Sequence, residues 1–286
     1  MDNYLRQHPE VFMALEKESH FFAPDFYGPQ SRFRKEEDYL TLFSSARDER
    51  MIGESSVGYL YSEVAAARIK AFNPEARIII MLRNPVEMIY AYHSELLFQG
   101  FEEIESFEEA LALESRRKLG LCLPKTRYVA GPLLCYRELG KFGAHLERFF
   151  SLFGRRNVHV IIFDEFKRDT ARVYQETCAF LGVNTDFQPN WKPSAGVINS
   201  NRRIRSLSLS RYLRSPQRHV VRYVKTLVPQ TLRRSIAQHL WSFNIKYEAR
   251  PVMKLELKQQ LSAEFAPDVE RLSQMLGCDL TSWSRS

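Results

Sequence analysis

Two short apolar runs constrain this chain more than any other feature. Arg77-Ile78-Ile79-Ile80-Met81-Leu82-Arg83 and Asn157-Val158-His159-Val160-Ile161-Ile162-Phe163 are each about one strand long. An alternating pattern marks a strand with one wet face, whereas a continuous apolar run marks one buried on both faces. A helical pattern precedes each run. Residues 62–72 place Val64, Ala65, Ile69 and Phe72 on one face. Residues 136–153 align Leu139, Phe142, Leu146, Phe149, Phe150 and Phe153 and stop at Gly154. Further helices follow at 86–98 and 165–181, the second closed by Gly182. Strands alternating with helices predict an α/β fold built on a parallel sheet.

The remaining chain fills in around that frame. A short strand at 51–54 is expected in the same sheet. Ser106-Phe107-Glu108-Glu109 has capping-box spacing and opens a helix to about Leu119. Residues 128–134 read as loop. From Arg202 the pattern is one of basic helices broken at Pro216 and Pro229. Two last helices are expected at 253–265 and 267–276, with Pro267 in the first turn of the second and Gly277 as its exit. No Gly/Ser/Pro-rich linker or repeat divides the 286 residues, so the expectation is a single domain, residues 1–286, with a helical C-terminal extension.

Composition narrows the function classes. No window of 18 apolar residues is present, and the first residues, MDNYLRQHPE, lack a signal core. Cys122, Cys135, Cys178 and Cys278 lie far apart with no metal-ligand spacing, which is the usage of reduced thiols in a cytoplasmic protein. Charge is segregated. Between Asp186 and Glu248 no acidic residue occurs, and that stretch holds twelve of the 41 Lys and Arg residues; the other 29 face all 34 acidic residues. A mildly acidic body carrying one basic segment, about 199–247, points to a polyanionic ligand. A solvated basic helix face, a nucleic-acid surface and a membrane surface share this signature.

Ligands of open parallel sheets bind at the carboxyl ends of the strands. Arg83 ends one apolar run and is followed by Asn84-Pro85 and a helix. A cation at the positive end of a helix dipole is misplaced unless an anion such as phosphate lies between them. Pairing with a carboxylate, for which Glu87 is placed, is the alternative. In Lys17-Glu18-Ser19-His20-Phe21-Phe22, a cation, a carboxylate and an imidazole fall within four residues. Such a group can bind an anion and take up a proton, although surface charges beside an aromatic anchor look the same. The motifs GxSxG, HExxH, GxGxxG and GxxxxGK[ST] are all absent.

Taken in order, Gln7-His8-Pro9-Glu10-Val11-Phe12, the Lys17 to Phe22 segment, Gly53-Glu54-Ser55-Ser56 with Tyr59, and Leu82-Arg83-Asn84-Pro85-Val86-Glu87 resemble the PAPS-dependent sulfotransferases. The similarity is to bacterial relatives of the heparan-sulfate group. The run Asn157 to Asp164 and the segment EFAPDVERLSQMLGCDLTSW extend it over nearly the whole chain. The resemblance implies a P-loop-like sheet flanked by helices and transfer of a sulfuryl group from PAPS to a hydroxyl or amine of a carbohydrate or small-molecule acceptor. PAPS enters as cosubstrate, and neither a metal nor nucleic acid is required. It implies Glu18 as catalytic base, with Lys17 and His20 stabilising sulfuryl or leaving-group oxygens. It implies Arg83 at the 3′-phosphate, with Arg202 and Arg203 as further nucleotide contacts.

Three departures qualify the match. The serine expected eight residues after Arg83 is Ala91, with His93 and Ser94 nearby. Ser55 stands where a lysine is common. The family's first strand and its K-x-G-T-T loop have no counterpart, because Met1 falls where the residue after that loop would stand. An internal start and a lost donor loop both account for this. For residues 1–286 alone the expectation is feeble bisphosphate binding without sulfate transfer, and a sheet with an uncovered groove beside Ile78 to Leu82. A non-catalytic relative that binds an anionic partner is the alternative function. Residues 100–134 and the basic C-terminal helices are expected to shape the acceptor cleft.

Overall fold

The computed structural model describes residues 1–27, 31–124, 130–191, 202–206, 209, 240 and 242–285. The two apolar runs form strands β3 (Ile78–Leu82) and β4 (Val158–Ile162), and they are parallel neighbours paired from Ile78↔Val158 to Leu82↔Ile162. A second parallel pair joins β1 (Val11–Met13) and β2 (Met51–Gly53), with Val11 opposite Met51 and Met13 opposite Gly53. The strand expected at 51–54 is thus present, but it pairs with β1 rather than with the sheet of β3 and β4. Strand β1 was not foreseen, since three residues are too few to show a period. Among the described residues no strand pairs with the second edge of β3. Met81 on β3 and Ile52 on β2 are exposed.

Alternation along β3 divides its side chains between two cores. Ile79 joins Val11, Met13 and Met51 against Tyr174, Cys178 and Leu181, so both strand pairs share that core. Ile80 and Leu82 enter the main core with Val86, Ile89 and Leu96 of α5 (Pro85–Gln99). Leu146 and Phe149 of α9 (Phe142–Phe153) and Leu261, Phe265, Val269 and Leu272 of the last helix complete it. Ahead of these lie α1 (Asp2–Leu5), α2 (Pro24–Tyr27), α3 (Glu36–Leu40) and α4 (Ala65–Phe72). In α4 the buried residues are Ala65 and Ala66, whereas Phe72 is exposed, a narrower inner face than the sequence pattern suggests.

Several long helices of the sequence reading are broken. The helix opened by Ser106 divides at Leu113 into α6 (Phe107–Ala112) and α7 (Glu114–Lys118). Residues 136–153 divide into α8 (Tyr136–Leu139) and α9. At the break, Gly140 lets the Phe265 ring approach so closely that an added Cβ would sit 2.5 Å from it. Residues 163–181 divide into α10 (Phe163–Arg168) and α11 (Thr170–Leu181), because the Asp169 carboxylate accepts the Arg172 N–H at 3.0 Å and starts a new helix.

The C-terminal expectations are corrected in two places. Arg202 begins a strand, β5 (Arg202–Ile204), antiparallel to β6 (Ile245–Tyr247), where helix was expected. Most of the remaining basic segment lies outside the described residues. The two last helices are one, α12 (Leu255–Leu276), with Pro267 inside it. The apolar stripe Leu261, Phe265, Val269 and Leu272 runs across the proline and packs on α9 and α5, outweighing the lost backbone bond. The adjacent Asp268 carboxylate accepts the N–H groups of Gly143 (2.9 Å) and Ala144 (3.3 Å) at the start of α9. Within the segment after α5, a buried ion pair joins Arg117 to Glu102 at 2.7 Å, with side chains 1% and 0% exposed. Tyr136 donates to the same carboxylate at 2.7 Å, supplying the further bond that a buried pair needs.

The Gly140 contact gives a stability test. Gly140→Ala forces Phe265 from its rotamer and is expected to cost about 1–3 kcal/mol. Urea unfolding measures that loss, and adding Phe265→Leu restores part of it. Unchanged stability in Gly140→Ala would show that the ring has room to move.

Candidate functional site

Lys17, Glu18 and His20 follow the carboxyl end of β1 and Arg83 follows that of β3, whereas Ser94 and Arg202 lie further along α5. Beyond β1 the chain makes a turn that lies along the segment leaving β2: Ala14 N–H donates to Gly53 O at 2.8 Å and Glu18 N–H to Ser55 O at 2.9 Å. Within this turn Glu18 (φ 57°) and His20 (φ 54°) both adopt the left-handed region. For residues with a Cβ that conformation costs on the order of 1–2 kcal/mol each, and it persists only where the surroundings enforce it.

A cluster of hydroxyls around Glu54 provides the enforcement. Its carboxylate accepts from Tyr59 (2.6 Å), Ser56 (2.7 Å), Ser19 (3.1 Å) and Tyr39 (3.3 Å). Ser19, between the two strained residues, is buried. Phe21 stacks on Tyr39 with centroids 4.4 Å apart, and Phe22 meets Tyr39 and Tyr59 edge-on. Burial, then the Glu54 charge, pushes both phenols above their ordinary range. The sequence reading took Gly53 to Ser56 and Tyr59 only as part of a resemblance and gave Tyr39 no part.

Glu18 accepts the Val57 N–H at 3.1 Å. Burial, partly opposed by that bond and assisted by the Glu54 charge, pushes its carboxyl up to about 7. The side chain is still 40% exposed, so an incoming molecule can reach the carboxylate. His20 Nδ1 lies 3.6 Å from Glu18 Oε2, and burial lowers the imidazole to about 4, making it a neutral neighbour. Lys17 does not face a vacant site. Its ammonium is 2.7 Å from the Asp2 carboxylate and 3.4 Å from Asn3 Oδ1, tying the turn to α1.

Arg83 begins the second half of the site. Asn84 Oδ1 caps α5 by accepting from Val86 N–H (2.9 Å) and Glu87 N–H (3.3 Å). The Arg83 guanidinium donates to the Glu87 carbonyl at 3.3 Å, not to its carboxylate. Among the described residues no carboxylate lies within ion-pair distance of Arg83. Its nearest cationic influence is Arg250, a residue the sequence reading missed. Burial lowers both guanidiniums below their ordinary value, and the Arg250 charge adds to the effect on Arg83. Arg250 Nε donates to Ser94 Oγ at 3.0 Å and its guanidinium lies over Tyr90, 5.6 Å from the centroid. The Glu87 charge acts on both arginines and the Asp164 charge on Arg83, but among the described residues neither carboxylate closes to ion-pair distance, which leaves two half-buried cations open to an added anion.

The substitution at Ala91 can now be read. His93 is buried among Phe107 and Tyr136, with Nε2 2.9 Å from Ile104 O, and belongs to the core. Ser94 is the hydroxyl that joins the arginine site. Arg202 sits one turn further along α5, where it bonds Glu95 at 3.3 Å and lies over the Phe98 ring at 4.3 Å. Arg203 stands opposite Lys246 in the β5–β6 ladder; its side chain lies outside the described residues. The turn and the arginine site are linked through Tyr61, a buried phenol raised to about 12 by burial, on which the Arg83 and Glu18 charges both act. No signal marked Arg250, which reaches Arg83 only through the path of the C-terminal segment.

An accessible carboxyl group of raised pKa and a pair of half-buried arginines are thus linked through Tyr61 in an α/β protein. The comparisons specify the class. The sulfotransferase domain profile matches residues 56–208, and the chain belongs to that family. A sulfotransferase from Alicyclobacillus acidocaldarius is 32% identical and superposes with a TM-score of 0.71 over 99% of this chain and 92% of its own. The bifunctional heparan sulfate N-deacetylase/N-sulfotransferase 1 of Caenorhabditis briggsae is 23% identical over 184 residues, 63% of this chain and 21% of that protein. The corresponding enzyme 4 of Mus musculus is 23% identical over 190 residues, 64% of this chain and 21% of that protein. The chain therefore spans about a fifth of the length of these curated relatives. No described helix is long and apolar enough to cross a membrane, and the described residues hold no cluster of His, Cys, Asp and Glu fit for a metal.

The opposed shifts of Glu18 and His20 fix a pH signature. Folding raises the Glu18 pKa, so the native state binds its proton more tightly and Glu18 costs stability as pH rises through about 4.5–7. Folding lowers the His20 pKa, so that residue costs stability as pH falls through about 6.5–4. Between about 4.5 and 6.5 the two slopes oppose one another. Relative to wild type, Glu18→Gln should therefore gain stability as pH rises from 4.5 to 7, and His20→Gln should gain it as pH falls from 6.5 to 4. Melting temperatures across that range measure both differences; a constant offset for either variant means the shift at that residue is absent.

Proposed function

We propose that the protein in which residues 1–286 form one domain transfers a sulfuryl group from PAPS to a hydroxyl or amine of a carbohydrate or small-molecule acceptor, with Glu18 as base. The observation that carries this reading is the Arg83–Arg250 pair, which no described carboxylate meets at ion-pair distance, near a Tyr61 phenol on which the Arg83 and Glu18 charges both act. The arginine site fits the donor: two desolvated guanidiniums supply charge-assisted donors to a phosphate of the nucleotide, and Ser94 Oγ orients Arg250 by accepting its Nε–H while donating to Tyr90 O. Arg202 and Arg203 are assigned as further nucleotide contacts, Arg202 giving up its Glu95 contact if it takes a phosphate.

The reaction assigns each proton and bond. The acceptor oxygen or nitrogen attacks sulfur as Glu18 takes its proton, and the bond from sulfur to the 5′-phosphate oxygen breaks. Adenosine 3′,5′-bisphosphate leaves with the charge of the broken bond. Lys17 and His20 are the polar groups beside Glu18. Lys17 is available to a sulfuryl oxygen by exchanging its Asp2 contact, and neutral His20 offers a ring nitrogen at the same rim. No step requires a metal. The names of the curated relatives support an amine-bearing carbohydrate as acceptor, and residues 100–134 are proposed to shape its cleft. The four cysteines are free thiols, which supports a reducing cytoplasm.

Calorimetry with adenosine 3′,5′-bisphosphate and a sulfate-transfer assay test these roles in protein expressed from its complete reading frame. Arg83→Ala is expected to weaken nucleotide binding by about 1.5–3 kcal/mol, with Arg250→Ala weakening it in the same direction. Glu18→Gln should retain that affinity while turnover falls on the order of 100-fold or more. Wild-type turnover should rise with pH through about 7 as Glu18 loses its proton. Equal loss of nucleotide affinity in the Arg83 and Glu18 variants would mean the roles are wrongly assigned.

A further inference from the structure

We propose that Glu54 is the positioning residue of this site: by gathering four hydroxyls it holds the left-handed turn that presents Glu18. The proposal rests on the reading of Glu18 as base. A carboxylate has about four acceptor positions, and four hydroxyls from three separate parts of the chain reach this one within 3.3 Å. Ser19 comes from the turn, Ser56 and Tyr59 from the segment after β2, and Tyr39 from α3. All four are neutral donors. Among the described residues no cation lies within ion-pair distance of Glu54, so it fixes the turn while keeping its negative charge close to Glu18.

The connection from Glu54 to Glu18 is short and continuous. Ser56, held at 2.7 Å, is followed by Val57, whose N–H donates to the Glu18 carboxylate. His20 N–H reaches Ser56 Oγ at 3.4 Å, and Glu18 N–H donates to Ser55 O. Both strained residues are therefore anchored to the four-residue strip that begins at Glu54. The chain between the anchors is free to relax only if the Glu54 contacts break. A purely structural carboxylate would serve equally well if paired with an arginine. Hydroxyl donors leave its field uncancelled, and that field disfavours the charged form of Glu18. The other charged or titratable groups facing Glu18 are Lys17 and His20 in the turn, Asp2 on α1 and Tyr61 after β2; Lys17 acts against Glu54, and Asp2 acts with it.

The test titrates Glu18 directly, by carboxyl-carbon NMR with Glu18→Gln to identify its resonance, and follows the Val57 amide over the same pH range. In wild type both should report a transition near 7. Glu54→Gln removes the charge and should lower that midpoint by about half a unit or more. Tyr39→Phe keeps the charge and removes one donor. It should move the Val57 amide shift with little loss of fold, and it keeps the proposal testable if Glu54→Gln does not fold. A Glu18 midpoint unchanged in Glu54→Gln, or a Val57 amide unchanged in Tyr39→Phe where Glu54→Gln is unfolded, overturns the proposal. Where wild type turns over, Glu54→Gln should lower kcat at least tenfold with the donor KM unchanged; a loss confined to KM would overturn the proposal too. Absence of sulfate transfer by wild type would instead defeat the functional reading. The NMR titration still decides the role of Glu54 in that case.

Discussion

The parallel pairing of β3 with β4 is the constraint on which the rest of the molecule depends. Five residue pairs in unbroken register align the two carboxyl ends, so Arg83 leaves the sheet level with Phe163, and Asn84 level with Asp164. Everything that fixes Arg83 is built on that level. Asn84 caps α5 with its side-chain oxygen and donates through Nδ2 to Trp283 O at 3.1 Å, while Trp283 Nε1 donates to Asp164 at 3.3 Å. The C-terminal turn is thereby stapled across both strand ends. A slip of one residue in β3 would turn Ile80 and Leu82 out of the main core, so hydrophobic burial sets the position of the guanidinium.

What the sequence disclosed follows from how many residues each signal needs. The runs at Ile78 and Val158 are continuous and apolar, and they were legible without any structure. The three residues of β1 carry no period, and the strand at Arg202 reads as basic helix because its identity comes from pairing with Ile245 to Tyr247. Pro267 was read as a boundary because local chemistry makes it one. The apolar stripe on both sides of it overrides that preference, as tertiary packing commonly does. The breaks at Gly140 and Asp169 show the reverse. There a close ring approach and a side-chain cap interrupt a hydrophobic pattern that continues on both sides.

The candidate site shows the same division. Glu18, Lys17, His20 and Arg83 were visible because they lie in contiguous motifs, and resemblance supplied roles that charge and spacing left open. Arg250 and Tyr39 were invisible. A lone arginine in a basic segment and a lone tyrosine among many carry no pattern, and each gains meaning only from what the fold places beside it. Ala91 illustrates how a motif can depart from its expected form while a neighbouring residue takes part. Of the two candidates nearby, the periodicity of α5 turns His93 inward and leaves Ser94 facing Arg250.

Separating base and cations solves an electrostatic conflict that any site of this kind meets. A donor with several negative charges needs concentrated positive charge, but positive charge beside a carboxylate lowers its pKa and weakens it as a base. Here the two requirements are met on different elements. Arg83 and Arg250 stand on the side of α5, beyond the buried Tyr61, while the one lysine in the Glu18 turn is held by Asp2. The groups acting most directly on Glu18 are then burial, a backbone N–H and the Glu54 carboxylate, and burial and Glu54 both favour the protonated form. The result is a carboxyl group poised near neutrality. An anion bound at the arginines would add negative charge to the site and raise the affinity of Glu18 for a proton further, so donor binding itself strengthens the base that the acceptor will meet.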